Sequence, residues 1–258
     1  MKNNEVSATY WRDGYVQPFE GLSNDADWPD TVGRVNELLL QAEPRGAYSV
    51  NCYQARSKTL WELCQHPTIL SVVKSVLGPD VLCWASHLFN KLPGDTKAVP
   101  WHQDAVFWHL APQNTLTVWL AIDDADADNS ALQFIAGSHA EGALPWAENT
   151  SGDVLNKQVI DPAQYGEPIF NTLRSGEFSI HHDLLLHGSL ANRSKRRRCG
   201  LTLRYCTPDV RITDSVWERG IEAIHCCGDD SGDYWHFHPC PADDDIRSDH
   251  GPRNLGGN

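Results

Sequence analysis

The sequence Trp101-His102-Gln103-Asp104 places an imidazole and a carboxylate two residues apart. In a strand such residues point to the same face, so His102 and Asp104 would stand side by side. Two donors leave a divalent cation short of ligands. A second histidine from a distant strand would complete a facial set of three with three coordination positions open, which suits non-haem Fe(II) and oxygen chemistry. The candidates for that histidine are His181, His182 and His187, the last at the end of the apolar run Leu184-Leu185-Leu186. A histidine-x-aspartate pair alone equally describes a surface turn, and a single histidine after an apolar run equally describes a hydrogen-bonded core residue.

A second feature is the basic run Asn192-Arg193-Ser194-Lys195-Arg196-Arg197-Arg198, leading into a strand-like segment ending at Cys206. Most of these charges read as a solvated turn. An arginine at the start of the strand can instead point inward, where its planar fork suits a carboxylate. If the chain supplies none, a dicarboxylate cosubstrate would. Around the first motif, Trp101, Phe107, Trp108 and His109 are candidates for a pocket mouth holding an apolar group or an ammonium, or for plain packing. Near the C-terminus, His225-Cys226-Cys227 and His236-Phe237-His238-Pro239-Cys240 offer zinc-type donors, but their spacing fits no usual structural zinc pattern. Substrate contact by His236 or His238 and a structural role are the other readings.

The elements that must position these groups change along the chain. Val32, Val35, Leu38 and Leu39 have helical spacing within 30–41. Ile69, Val72, Val73 and Val76 continue a helical region over 59–77, with Pro67 suited to a first turn and Gly78 to a stop. Beyond Gly78, short β-branched and aromatic runs alternate with turn residues. The expected strands are 81–91, 116–122, 131–135, 168–173, 177–181, 184–186 and 200–206. Many short strands after a helical region predict a β-sandwich or barrel with helices packed outside. The acidic segment 123–129 reads as a turn-rich loop, and 140–164 as a long irregular insertion with a lid role.

The chain has 258 residues and a formal net charge of −13. The negative balance argues against general nucleic-acid or anionic-membrane binding. A hydrophobic content of 41% argues against disorder, and no apolar run reaches the length of a membrane span. The first residues, Met1 to Trp11, carry no apolar stretch of the signal-peptide kind, so the expected compartment is the cytoplasm. The eight cysteines are expected to be free thiols there.

Three segments taken together carry a family resemblance: Trp101-His102-Gln103-Asp104, then Asp128 to His139 (DNSALQFIAGSH), then His187 to Tyr205 (HGSLANRS…LTLRY). In this order and spacing the chain, from about Tyr10 to Pro241, resembles the phytanoyl-CoA dioxygenase family of Fe(II)/2-oxoglutarate-dependent oxygenases. The resemblance implies a mainly β fold, a double-stranded β-helix (jelly-roll, cupin-like) core with N-terminal helices outside. It implies one domain over 1–258: a helical part to about 78, the β-helix core over about 79–210, a covering segment over about 211–242 and a polar tail over 243–258. It implies Fe(II), 2-oxoglutarate and O2 as cofactor and cosubstrates. His102, Asp104 and His187 become the metal ligands. Arg198, eleven residues after His187, grips the far carboxylate of 2-oxoglutarate, with Arg197 as the alternative. Ser189 and Trp119 join it, and Gln103 and Lys91 fall nearby. Ser130 and Ala136 replace the usual turn glycine and proline, which bears on turn stiffness. Asp104 stands where family halogenases carry a small residue, so hydroxylation is favoured over halogenation. The expected partner is a small-molecule substrate, with the chain a monomer or homodimer. The other readings are a different mononuclear metalloenzyme (a hydrolase or cupin-like isomerase) and a non-catalytic binding module.

Overall fold

A computed structural model describes residues 3–42, 50–214, 220–229 and 234–247 of the chain. Four helices lie in the first 77 residues, with one strand between the first two: α1 Asn3–Asp13, α2 Trp28–Ala42, α3 Lys58–Cys64 and α4 Pro67–Leu77. The strands are β1 Tyr15–Phe19, β2 Val81–Lys91, β3 Val99–His102, β4 Leu110–Ala111, β5 Thr115–Ala121, β6 Gln133–Ile135, β7 Trp146–Glu148, β8 Lys157–Val159, β9 Pro168–Phe170, β10 Phe178–His182, β11 His187–Ser189, β12 Arg198–Cys206, β13 Arg211–Ile212 and β14 Ile224–Cys227. Among the described residues, no helix is long and apolar enough to cross a membrane.

Two antiparallel sheets face each other. The major one runs β1-β10-β5-β12-β2-β14 and the minor one β3-β11-β6-β9. This is the double-stranded β-helix with helices outside that the family resemblance implies, and one form of the β-sandwich or barrel that the strand pattern predicts. Strand alternation explains the division of labour. Leu116, Val118 and Leu120 of β5, Ile180 of β10, and Leu201, Leu203 and Tyr205 of β12 belong to the core shared with Val35, Leu38, Leu60, Leu63, Ile69 and Val73 of the helices. Each such apolar side chain contributes about 1.5–3 kcal/mol on burial. The intervening residues of β5, β10 and β12 face the minor sheet and form the barrel interior.

Several local expectations are corrected. The helical region over 59–77 is two helices, because Pro67 opens α4 at its first turn and the chain bends at Gln65–His66. Helix α1 and strand β1 were not foreseen, since α1 buries only Val6 and Tyr10. Residues 184–186 form a turn and not a strand. The chain crosses there from the major to the minor sheet, and Leu185 N–H donates to the His182 carbonyl at 3.0 Å. The insertion over 140–164 contains the β7/β8 hairpin. Finally, the basic run is not merely solvated. Arg196 pairs with Asp126 at 2.8 Å and Arg197 with Asp123 at 2.7 Å, so the acidic loop is its counter-charge.

Candidate active site

β3 and β11 are neighbours in the minor sheet, with His102 and His187 directly opposite. Asp104 follows at the start of the 3-10 turn Asp104–Val106. One donor atom from each of His102, Asp104 and His187 lies within 4.8 Å of the other two, and all three residues are buried. Among the described residues this is the single cluster of three or more such donors that can hold a metal ion. Both imidazoles are set by their own backbone. Each Nδ1 is 2.8 Å from the carbonyl two residues earlier, Pro100 for His102 and Leu185 for His187. A carbonyl only accepts, so Nδ1 carries the proton and Nε2 offers its lone pair. The two Nε2 atoms point at Asp104 Oδ1, at 3.6 and 3.8 Å. Burial, and next the neighbouring His102, push the His187 imidazole well below its usual range, so it is neutral and able to ligate. Burial alone would raise the Asp104 carboxyl. Its surroundings, with the permanently charged Arg204 among them, outweigh that and hold it well below the usual range. Two imidazoles with Nε2 turned inward and an ionised carboxylate are a donor set that fits a divalent transition metal.

His181 and His182, the competing histidines, have other surroundings. His182 accepts from Leu184 N–H through Nδ1 at 3.0 Å and packs on Tyr10. His181 is buried beside the cluster, with its ring centroid 5.0 Å from that of His187 and its Nε2 3.9 Å from Asp104 Oδ2.

A second group lies further along the barrel interior. Arg198 opens β12 opposite Lys91, the last residue of β2. Arg197 points outward to Asp123 and Asn36, so Arg198 is the inward arginine. Its Nη2 lies 3.5 Å from Ser189 Oγ, its Nε donates to the Ser130 carbonyl at 3.1 Å, and its guanidinium lies 5.8 Å from the Trp119 ring. Trp119 can lie there because β12 carries Gly200: a Cβ at that position would be 2.1 Å from Trp119 Cζ2. Lys91 is buried, donating to Ser130 Oγ at 3.2 Å and to the Leu190 carbonyl. Burial and then Arg198 lower its ammonium to about 7.

Ser130 is the residue that sequence reasoning undervalued. Its hydroxyl receives Lys91 and its carbonyl receives Arg198, so it does more than set turn stiffness. The signal was its replacement of glycine, for its φ is +72°. Gln103 was expected near the cosubstrate. Its amide is instead committed to backbone: Nε2 donates to the Gly142 and Leu184 carbonyls at 2.8 and 2.7 Å, and Oε1 accepts from Leu144 N–H at 2.8 Å. It ties the insertion to the turn before His187. The β7/β8 hairpin thereby borders a cleft lined by His102, Val106, Leu144, Trp146, Lys157 and Val159. In the C-terminal segment, His236, His238 and Cys240 are exposed, and Cys226 Sγ turns to the Cys64 carbonyl. No zinc cluster forms there among the described residues. All eight cysteines are free.

A two-sheet barrel with a buried His-Asp-His cluster and a cationic end defines a candidate mononuclear metalloenzyme, and comparison with known proteins gives the family. The family model for phytanoyl-CoA dioxygenase (PhyH) matches residues 34–200, and the chain belongs to that family. It is 26% identical over 165 residues to the peroxisomal phytanoyl-CoA dioxygenase of Rattus norvegicus, covering 60% of this chain and 48% of the relative. The chain thus matches about half the length of that curated relative. Among solved structures, the apo form of the non-heme monooxygenase ThoJ superposes with a TM-score of 0.78 at 26% identity, covering 93% of this chain and 89% of the other. The epimerase SnoN, solved with Fe3+, alpha ketoglutarate and nogalamycin RO, shares the fold at a TM-score of 0.69 and 21% identity, covering 82% of this chain and 86% of the other.

Proposed function

We propose that the chain is an Fe(II)/2-oxoglutarate-dependent dioxygenase that hydroxylates an unactivated C–H bond of a small molecule, releasing succinate and CO2. The observation that supports this best is the pairing of the buried His102–Asp104–His187 set with a cationic wall, Arg198 and Lys91, in the same barrel interior. A hydrolase or isomerase can use the first but has no need of the second. When bound, iron and 2-oxoglutarate supply the oxidative decarboxylation and the C–H oxidation.

The chain's own residues do the rest. His102 and His187 would hold the metal through Nε2, each oriented by its Nδ1–H bond to backbone, and Asp104 through its carboxylate. Arg198, Lys91 and the Ser189 hydroxyl would grip the far carboxylate of 2-oxoglutarate. Trp119 would form the apolar side of its slot. The buried walls keep water from the reacting centre. With iron bound, Asp104 would take up the place that a halide would need, which supports hydroxylation over halogenation. Similarity to a non-heme monooxygenase agrees with that outcome.

The test is an anaerobic titration of metal-free protein with Fe(II) and then 2-oxoglutarate, following the visible charge-transfer band of the chelate. The wild type should show the band, and His102→Ala should lose it. Arg198→Ala should need at least about tenfold more 2-oxoglutarate, the weight of one charged hydrogen-bonding partner. No band from protein shown to hold Fe(II) would sink the oxygenase reading and turn attention to the other metalloenzyme classes.

A further inference from the structure

The barrel interior contains a further polar group that supplies no ligand atom to the proposed metal site and no contact to the proposed 2-oxoglutarate slot, although its charge reaches Asp104. His181 of β10, Thr117 of β5 and Arg204 of β12 are directly opposite one another across three neighbouring strands. They therefore share one face and make a transverse row. Their chain neighbours Ile180, Val118 and Leu203 belong to the helix-facing core, so the row faces the interior. All three are buried, Arg204 being 9% exposed. Among the described residues, His181 Nδ1, Thr117 Oγ1 and Arg204 Nε are buried without a hydrogen-bond partner. Three such atoms in one row are costly to leave unmet.

The row ends at the metal cluster, because His181 Nε2 is 3.9 Å from Asp104 Oδ2. Its other end is built to hold a guanidinium still: Arg204 lies 4.9 Å from the Trp108 ring and 5.9 Å from that of Trp84. Of the readings left open for Trp108, an ammonium site is the one this disfavours, since a cation of the chain already lies over the ring. Along β12, Arg204 lies six residues beyond Arg198, about 20 Å at the rise of a strand. The two arginines are thus too far apart to share one small anion.

We propose that Arg204, with Thr117 beside it, is the anchor for a carboxylate of the small-molecule substrate, which places the rest of that molecule near the His102–Asp104–His187 cluster. The planar guanidinium edge matches a planar carboxylate. The Thr117 hydroxyl adds one donor to the same group, and the half-buried Trp108 offers an apolar flank to the substrate body. The substrate class is then a carboxylic acid with an oxidisable C–H some atoms from the acid group. This rests on the oxygenase reading and adds the substrate's chemistry to it.

The experiment uses protein loaded with Mn(II) and saturated with 2-oxoglutarate, so that the Arg198 end is filled. Acetate, cyclohexanecarboxylate and phenylacetate are each titrated beside the matching carboxamide, with binding read by calorimetry. At least one acid should bind about tenfold or more tighter than its amide. Arg204→Met should erase that preference while leaving 2-oxoglutarate binding intact, Arg204→Lys should keep part of it, and Thr117→Val should weaken it severalfold. The melting temperature supplies an arm independent of the probes. With Mn(II) bound, so that the ion supplies the positive charge Asp104 needs, Arg204→Met should melt no lower than the wild type, because a buried cation kept for a ligand is replaced by an apolar group of similar length. A clear fall in melting temperature with no acid preference in the wild type would make Arg204 a structural residue and overturn the proposal. So would an acid preference that survives Arg204→Met, or equal binding of acids and amides. Failure of 2-oxoglutarate itself to bind would count against the oxygenase reading instead, and the acid–amide comparison would then be read with Mn(II) alone.

Discussion

Lys91 shows how much of this site is decided by single side chains. Burial and the facing Arg198 bring its ammonium to about 7 in the ligand-free protein. A bound dicarboxylate adds negative charge beside it and raises that value. Above pH 7, binding must therefore take up a proton, so affinity for 2-oxoglutarate should fall as pH rises from 7 to 9, approaching tenfold per unit. Below pH 7 the lysine is already charged and contributes no slope. Calorimetry with Mn(II)-loaded protein should show this fall together with proton uptake, and Lys91→Met should bind weakly at every pH with a flat profile. A flat wild-type profile would place Lys91 away from the anion. Ser130 poses a different trade. Its left-handed backbone, φ +72°, is strained for a serine and natural for glycine. Ser130→Gly relieves that strain and removes the hydroxyl that receives Lys91. The two effects oppose each other, so stability should move by less than about 1 kcal/mol. Affinity for 2-oxoglutarate should nonetheless drop severalfold, which chemical denaturation and titration together would reveal.

Elements place these residues, and the central pair β5 and β12 does most of it. Gly200 lets the Trp119 indole lie across β12 beside Arg198. Gly200→Ala would put a Cβ 2.1 Å from Trp119 Cζ2, forcing the ring out of its place. The expected result is a stability loss of about 1–3 kcal/mol, the usual size for overpacking, with 2-oxoglutarate binding weakened about tenfold. Stability unchanged with normal binding would mean that the ring relaxes freely and is no wall of the slot. Strands β2, β5 and β12 were legible in the sequence because their apolar and β-branched runs are long. The His102–Asp104 pair was legible because the backbone stays extended through Gln103, φ −108° and ψ 133°, which turns both side chains the same way although β3 ends at His102. Strand β11 was displaced by three residues because Leu184, Leu185 and Leu186 have strand-like composition, whereas the crossing between sheets requires a turn there. Helix α1 was missed because its polar sequence buries only Val6 and Tyr10. The Arg204 row could not be read at all, since its three members are far apart in the chain and meet only through register.

At the scale of the whole molecule, the two sheets contribute different halves of the site. His102 and His187 stand on the minor sheet, and Asp104 directly follows it. Lys91, Trp119 and Arg198 stand on the major sheet. A metal with 2-oxoglutarate bound to it would therefore join the sheets through the barrel interior. Anything that binds the folded chain alone stabilises it by about 2.7 kcal/mol at one hundred times its Kd. For a chain of this size that is a rise in melting temperature of about 5–10 °C. The proposed assembly makes the increments sequential. Mn(II) alone should raise the melting temperature of the wild type, and 2-oxoglutarate should add a further rise only when Mn(II) is present. Arg198→Ala should keep the metal increment and lose most of the second. His102→Ala should lose both, because the cosubstrate increment depends on the ion. Differential scanning calorimetry of the three proteins with each combination of ligands separates these outcomes. A 2-oxoglutarate increment in His102→Ala equal to that of the wild type would show that the cationic wall holds the dicarboxylate without the metal cluster. The two halves of the site would then be independent, and the oxygenase assembly would be wrong.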